Sequence, residues 1–385
     1  MVIARIRQLV DRLSVKAIFN RLDKRKLQNE LDTHRLYLVT SHFDRLKAGR
    51  VCGDSYVQDL AAEAQQLGHE GMQSAIAEAL QKQFTHISAA MHDYLRQAKD
   101  PMPAAAQATL AELRQKQHTD ALSAPKSRRP RGLAAAVGAS VSRLDSAPLV
   151  SPSQSTPGPA SSSSALGYSL EVRTSGIAHQ DAGDGLWLRG TAPVGAVVGL
   201  YPGLVYEPMH YRKLPGYPKI DTHNDYFLAR FDGALIDGQS WGRGRPTLDP
   251  TTQHVDAQYH NTHHAMLAKL HQKEMRHPLA LAHYANHPPA GMQPNVMVAA
   301  FTYNKQQGED AWLAAYMPNV MYHDAGGQQA TQLMMQDQQI KGLVFVATRQ
   351  VQGEEVLLNY RLNPQVQRPS WYAPVDEEED KRRWY

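Results

Sequence analysis

The chain has 385 residues, 42% hydrophobic and 20% charged, with a formal net charge of +4. It is long enough for two domains, or one with a long appendage, and its mild positive excess does not make it a nucleic-acid binder. The single cysteine, Cys52, excludes intrachain disulfides and Cys-rich zinc clusters, and no run of about 18 apolar residues offers a membrane-spanning helix.

Residues 1–28 are rich in Arg and Lys, opposed only by Asp11 and Asp23, and Val2, Ile6, Leu9, Leu13 and Phe19 follow rough helical spacing. A basic amphipathic helix is expected. It is read as a solvated first helix, with a mitochondrial targeting segment as the alternative. Helical signal continues through Leu31, Leu36, Leu38 and Phe43 to a break at Gly49–Gly53. Three pieces follow, DLAAEAQQLG, SAIAEALQKQF and HISAAMHDYLRQA, before Pro101 and Pro103 and a last stretch, AAAQATLAELRQKQ. A helical N-terminal region over 1–118 is predicted, suited to docking or packing and without chemistry of its own.

Ser, Pro, Ala and Gly then dominate 119–166, a composition that cannot offset its ordering entropy, so a disordered linker is expected. KSRRPR at 126–131 is a low-specificity basic cluster. Beyond the linker, YSLEVRTS, GDGLWLRG, APVGAVVGLYPGLVY and YFLARFDGALIDG are short, β-rich and Gly-punctuated. They predict a mainly β domain of several small sheets over 167–365. GDG at 183–185 lacks the third glycine and following helix of a dinucleotide fingerprint.

GLVFVATRQVQGEEVLLNYR at 342–361 reads as a β-hairpin whose turn carries Gly353, Glu354 and Glu355 and whose second strand ends at Tyr360. The stretch 240–276 is rich in histidine. His260, His263 and His264 have helical spacing but no neighbouring carboxylate or thiol partner, so a solvated helical insertion is expected and no metal site. The acidic tail 366–385, with DEEEDKRR at 376–383, is expected to be solvated and partly disordered.

Four of these pieces, in this order, resemble the SET-domain methyltransferase superfamily: AGDGLWLRG with the following YPG at 201–203, FDGALIDG ending near Asp237, YANHPPAGMQPNV at 284–296, and GLVFVATRQVQGEEVLLNY. GAVVGLYPGLVY and HPLALAHYANH are similar to the subgroup named SET domain-containing protein nine. The resemblance covers about 168–363. It implies a mainly β, SET-like (β-clip) domain with a knot-like C-terminal crossing, α+β overall once the helical N-terminal region is counted.

The resemblance further implies an S-adenosylmethionine-dependent protein-lysine N-methyltransferase. Ala182, Gly183, Asp184 and Gly185 would hold the methionine end of the cofactor and Tyr201 would line its pocket. Asn286 and His287 would hold its adenine and polar end, with Trp371 or Tyr372 covering the adenine. Tyr360 would be the catalytic phenol at the mouth of a lysine channel. Neutralising a lysine amine at pH 8 costs about 3.3 kcal/mol from its reference pKa, which a dry channel beside a sulfonium lowers. No metal is implied.

The implied partner is a protein with an accessible lysine, with no direct nucleic-acid binding. A monomer is expected, in the nucleus or cytoplasm. Pro288 and Pro289 follow the Asn-His pair, Val298 stands where many relatives have an aromatic, and Asn359 replaces the acid before the final tyrosine. A catalytically silent SET-like interaction module is therefore the alternative. Asp237 is read as a structural acceptor rather than a base.

Overall fold

The computed structural model describes residues 24–49, 56–97, 166–179, 181–214, 217, 220, 224–239, 241, 277–304, 311–324, 329, 333 and 337–384. The readings made for residues 1–23, for the stretch after Pro101, for the linker with its basic cluster, and for the histidine-rich stretch 242–276 lie outside those residues.

Helix α1 spans Lys24–Lys47 and buries Leu27, Leu31 and Leu38, while Arg45 and Lys47 complement the dipole at its last turn. Helix α2 spans Tyr56–Gln97 and is kinked at Gly68 (φ 64°, ψ −174°), a conformation open to glycine. Beyond the kink it runs on without the break expected between SAIAEALQKQF and HISAAMHDYLRQA, since no Gly or Pro interrupts it there.

The ten strands found among the described residues are short. They are β1 Tyr168–Thr174, β2 Asp184–Ala192, β3 Val197–Tyr201, β4 Gly203–Tyr206, β5 Phe227–Ala229, β6 Leu235–Asp237, β7 Val296–Asn304, β8 Asn319–Met321, β9 Gln339–Ala347 and β10 Val351–Gln352. They form three small sheets, ordered β1-β2-β10, β3-β9-β7 and β5-β6-β4-β8. All pairings are antiparallel except β4 with β8. The architecture is α+β, a helical N-terminal region followed by small sheets.

Two further expectations are corrected. The stretch 342–361 is not a hairpin. β9 is the middle strand of its sheet, with β3 on one edge and β7 on the other, so no edge is left for VLLNY. β10 crosses to pair with β2 instead, Val351 opposite Ala192, Glu355 still bridges Trp187 of β2, and Leu357 and Leu358 then bridge in parallel to Asn286 and Val296. The acidic tail is not a solvated end: Glu377–Trp384 form a third helix, α3, with Glu379 and Asp380 buried. Asp376 caps it by accepting the Glu379 N–H at 2.9 Å. Acids fill the first turn and Lys381, Arg382 and Arg383 the last, which matches the helix dipole.

One apolar core runs through both halves of the described chain, joining Leu38 of α1 and Leu80 and Phe84 of α2 to Val197, Phe345 and Val346 of the β3-β9-β7 sheet. A smaller core lies under the four-stranded sheet, around Leu204, Tyr206, Phe227 and Trp241. Asp237, at the end of β6, accepts from Asn224 Nδ2 at 2.7 Å and the Gln239 N–H at 2.9 Å.

Candidate functional site

The turn into β2 brings the first group of candidate residues together. Gly183 has φ +53° and opens the way for Asp184 to start the strand. Asn286 reaches this turn from more than a hundred residues away in the chain. Its Nδ2 lies 3.3 Å from Ala182 O and 3.2 Å from Asp184 O. The same nitrogen lies 3.1 Å from Glu355 Oε1. Three oxygens therefore converge on one amide.

His287 carries the arrangement to Tyr360. The Tyr360 N–H donates to His287 Nδ1 at 3.2 Å, and His287 Nε2 donates to Ala373 O at 2.7 Å. That pair of bonds describes a neutral ring protonated on Nε2. Burial pushes the His287 pKa down to about 4, and the nearby Arg368 guanidinium adds to the effect. The ring stacks on Tyr372, centroids 4.4 Å apart, and lies 5.4 Å from the Tyr360 ring and 6.4 Å from Trp371. The Tyr360 hydroxyl, nearly buried, donates to Ala285 O at 2.8 Å.

Tyr201 stands apart from this hydrogen-bonded set. Its hydroxyl donates to Tyr226 O at 2.7 Å. Burial raises its pKa well above the ordinary phenol value, with smaller contributions from Asp237, Tyr360 and Tyr226. Val298, on β7 opposite Phe345, is only partly buried.

Glu355 has a role beyond the turn assigned to it. The two adjacent acids diverge: Glu354 pairs at the surface with Arg349, accepting from its Nη2 at 2.6 Å, whereas the Glu355 side chain turns inward. Its carboxylate accepts from Ser175 Oγ at 2.7 Å, from the Gly176 N–H at 2.8 Å and from Asn286. A Cβ at Gly185 would stand 2.0 Å from Glu355 Oε1, so only glycine lets the carboxylate approach β2 this closely.

Asn295 is the second residue whose role the sequence did not disclose. Fully buried, it donates to Glu355 O at 2.7 Å and accepts the Leu357 N–H at 2.8 Å. With the Leu358 N–H on Asn286 O at 2.9 Å and the Asn295 N–H on Leu357 O at 3.1 Å, residues 355–358 are bonded to both the Asn286 and the Asn295 turns. The sequence clue to these roles was the placement of Asn295 and Glu355 inside two of the quoted motifs.

Among the described residues no group of three His, Cys, Asp or Glu could hold a metal, and no helix is long and apolar enough to cross a membrane. No protein-family model matches the chain. It is 28% identical over 211 residues to SET domain-containing protein 9 of Homo sapiens, and 28% identical over 210 residues to SET domain-containing protein 9 of Pongo abelii. The aligned part is 51% of this chain in both, and the chain spans 58% and 64% of the length of those curated relatives.

Proposed function

We propose that this chain, related to the SET-domain proteins, is an S-adenosylmethionine-dependent protein-lysine N-methyltransferase with its reacting centre at Tyr360. One observation carries the reading. The glycine turn at 182–185, the Asn286–His287 pair and Tyr360, remote in sequence, are joined by hydrogen bonds into one place.

The side chains suit the proposed cofactor. Ala182 O, Asp184 O and the Glu355 carboxylate form an acceptor set beside the Asn286 amide, the chemistry that receives an ammonium such as that of a methionyl group. Gly183 takes the positive φ of the turn, and Gly185 leaves the room in which the Glu355 carboxylate joins that set. His287, Trp371 and Tyr372 supply aromatic faces for a flat heterocycle. Tyr201 would line the same region from β3.

Bound there, S-adenosylmethionine supplies an electrophilic methyl group on a sulfonium. The protein's share is positioning. With its proton committed to Ala285 O, the Tyr360 oxygen is an acceptor that can orient an amine N–H. Its burial disfavours charge on the incoming amine and so favours the neutral nucleophile. The SET-like domain of this reading spans 167–365. Its knot-like crossing would be formed by residues 355–358, which are bonded on both sides by the Asn286 and Asn295 turns.

The test is calorimetry of the full chain with S-adenosylmethionine, followed by labelled methyl transfer to a cell lysate and identification of modified lysines by mass spectrometry. Micromolar binding and lysine labelling are expected, with Tyr360→Phe lowering turnover by about 10²-fold through misplacement of the amine. Binding without any product would favour the silent interaction module, and labelling unaffected by Tyr360→Phe would remove Tyr360 from the reaction.

A further inference from the structure

Arg361, the residue directly after Tyr360, is the sole non-glycine residue with positive φ (53°) among those described. A left-handed backbone is costly for any residue with a Cβ, and it persists only where the surroundings over-determine it. Here they do. The Arg361 N–H donates to the Asn359 side chain at 3.1 Å, and the Arg361 carbonyl accepts from Trp384 Nε1 at 2.9 Å. Its Nε donates to Glu379 Oε1 at 2.7 Å. Two of these three ties come from α3, the helix formed by the acidic tail.

Glu379 is the hub of that attachment. Its carboxylate also takes Arg35 of α1 at 3.1 Å and Arg383 at 3.2 Å, and its side chain is 6% exposed. Arg383 reaches Asp32 of α1 as well, and Arg382 donates to Gln28 at 2.8 Å. One buried carboxylate thus ties α1 and α3 to the residue that follows the candidate catalytic phenol. The three guanidiniums hold it well below the usual carboxylate range against the opposing effect of burial.

We propose that Glu379 is a positioning residue for the Tyr360 site: by clamping Arg361 in its left-handed conformation it aims the Tyr360 amide at His287 and the phenol at Ala285. The inference rests on the reading that Tyr360 lies at the reacting centre. It adds that the C-terminal helix, anchored on α1, sets the geometry of that centre. A plain ion-pair role for Glu379 would dock α3 without any bearing on the backbone at Arg361, and the two roles separate experimentally.

The experiment is amide hydrogen exchange of the full chain, read by mass spectrometry without cofactor. Glu379→Gln is expected to speed exchange at residues 360–362 by about tenfold while β9 and α2 stay within about twofold. Adding Arg361→Gly is expected to return residues 360–362 to within about threefold of the parent, because glycine adopts that conformation without the steric cost. Unchanged exchange in Glu379→Gln, a rise shared by the whole chain, or no recovery in the double variant would each overturn the proposal.

Arg361→Gly alone keeps the test decisive if Glu379→Gln does not fold. It is expected to hold the parent exchange at residues 360–362 despite losing its ion pair, and exchange raised about tenfold would overturn the clamp. Methyl transfer measured on the same variants is expected to follow the exchange, with turnover falling in Glu379→Gln, recovering when Arg361→Gly is added, and cofactor affinity held throughout. A chain with the expected exchange pattern and no methyl transfer would refute the enzymatic reading instead, so the two failures are distinguishable.

Discussion

His287 and Glu355 set the chemistry of the candidate site residue by residue, and each makes a measurable claim. The His287 pKa falls from 6.5 to about 4 in the fold, so between those values the folded chain binds fewer protons than the unfolded one. The stabilising contribution is therefore complete above pH 6.5 and is lost as pH falls through about 4. Protonation also removes the acceptor for the Tyr360 N–H. An NMR titration should give a His287 midpoint near 4; a midpoint near the free value would place the ring in water.

Asp237 runs the opposite way. Burial raises its pKa from 3.8 to about 6, so its contribution is complete below 3.8 and is lost as pH rises through about 6. Asp237→Asn should remove that slope from the stability-versus-pH curve, measured by denaturant melts at several pH values.

Glu355→Ala strands three donors, the Ser175 hydroxyl, the Gly176 N–H and the Asn286 amide. It should cost about 2–4 kcal/mol in denaturant melts and weaken S-adenosylmethionine binding. Glu355→Gln should cost less stability. Equal melting of parent and Glu355→Ala would show the carboxylate to be idle. The meeting of Asn286, His287 and Tyr360 was legible because each lies in a quoted motif. Which of two adjacent acids turns inward was not, since that depends on Asn286, sixty-nine positions away in the chain.

At the scale of elements, the corrections at the hairpin and the tail have a common cause: local pattern reports propensity, and pairing is decided elsewhere. GLVFVA is buried almost without alternation on β9. A continuous apolar run of that kind signals a strand covered on both faces, and here both edges of β9 are taken, so VLLNY could not fold back on it and meets β7 only at the Val296–Leu358 bridge. Charge alone reads the tail as solvated, although Asp376 and Glu379 stand at cap and third position, the spacing of a capping box. Asp376→Ala should lower stability by about 0.5–2 kcal/mol and loosen α3 on α1, seen as faster amide exchange at residues 377–384. A variant with parent stability and exchange would mean that the ion pairs to α1 hold the helix without its cap.

At the scale of the whole molecule, the question is whether the helical region and the sheets are one unit, and the side chains between them decide it. Gln83 of α2 donates to Gly195 O at 3.0 Å and accepts the Val197 N–H at 2.8 Å, so it serves the backbone where β3 begins. Phe84 packs against Phe301 and Tyr303 of β7, with centroids 5.1 and 5.3 Å away. At Gly195 a Cβ would stand 2.0 Å from Val39 O, so α1 sits directly on the β2–β3 turn. Helices packed this closely cannot melt first without exposing the sheet that carries Tyr201 and leads to the site.

Phe84→Ala removes a fully buried ring from that junction and should cost about 3–5 kcal/mol. The whole described chain should then lose stability in one step. Far-ultraviolet ellipticity, which follows mainly α1 and α2, and tryptophan fluorescence, which follows Trp187, Trp241, Trp312 and Trp371 of the β region together with Trp384 of α3, should shift together on a denaturant axis in both parent and variant. Two separated transitions, with only the helical one moved by Phe84→Ala, would show the helices to be an appendage, and α1 could then not serve as the anchor for Glu379.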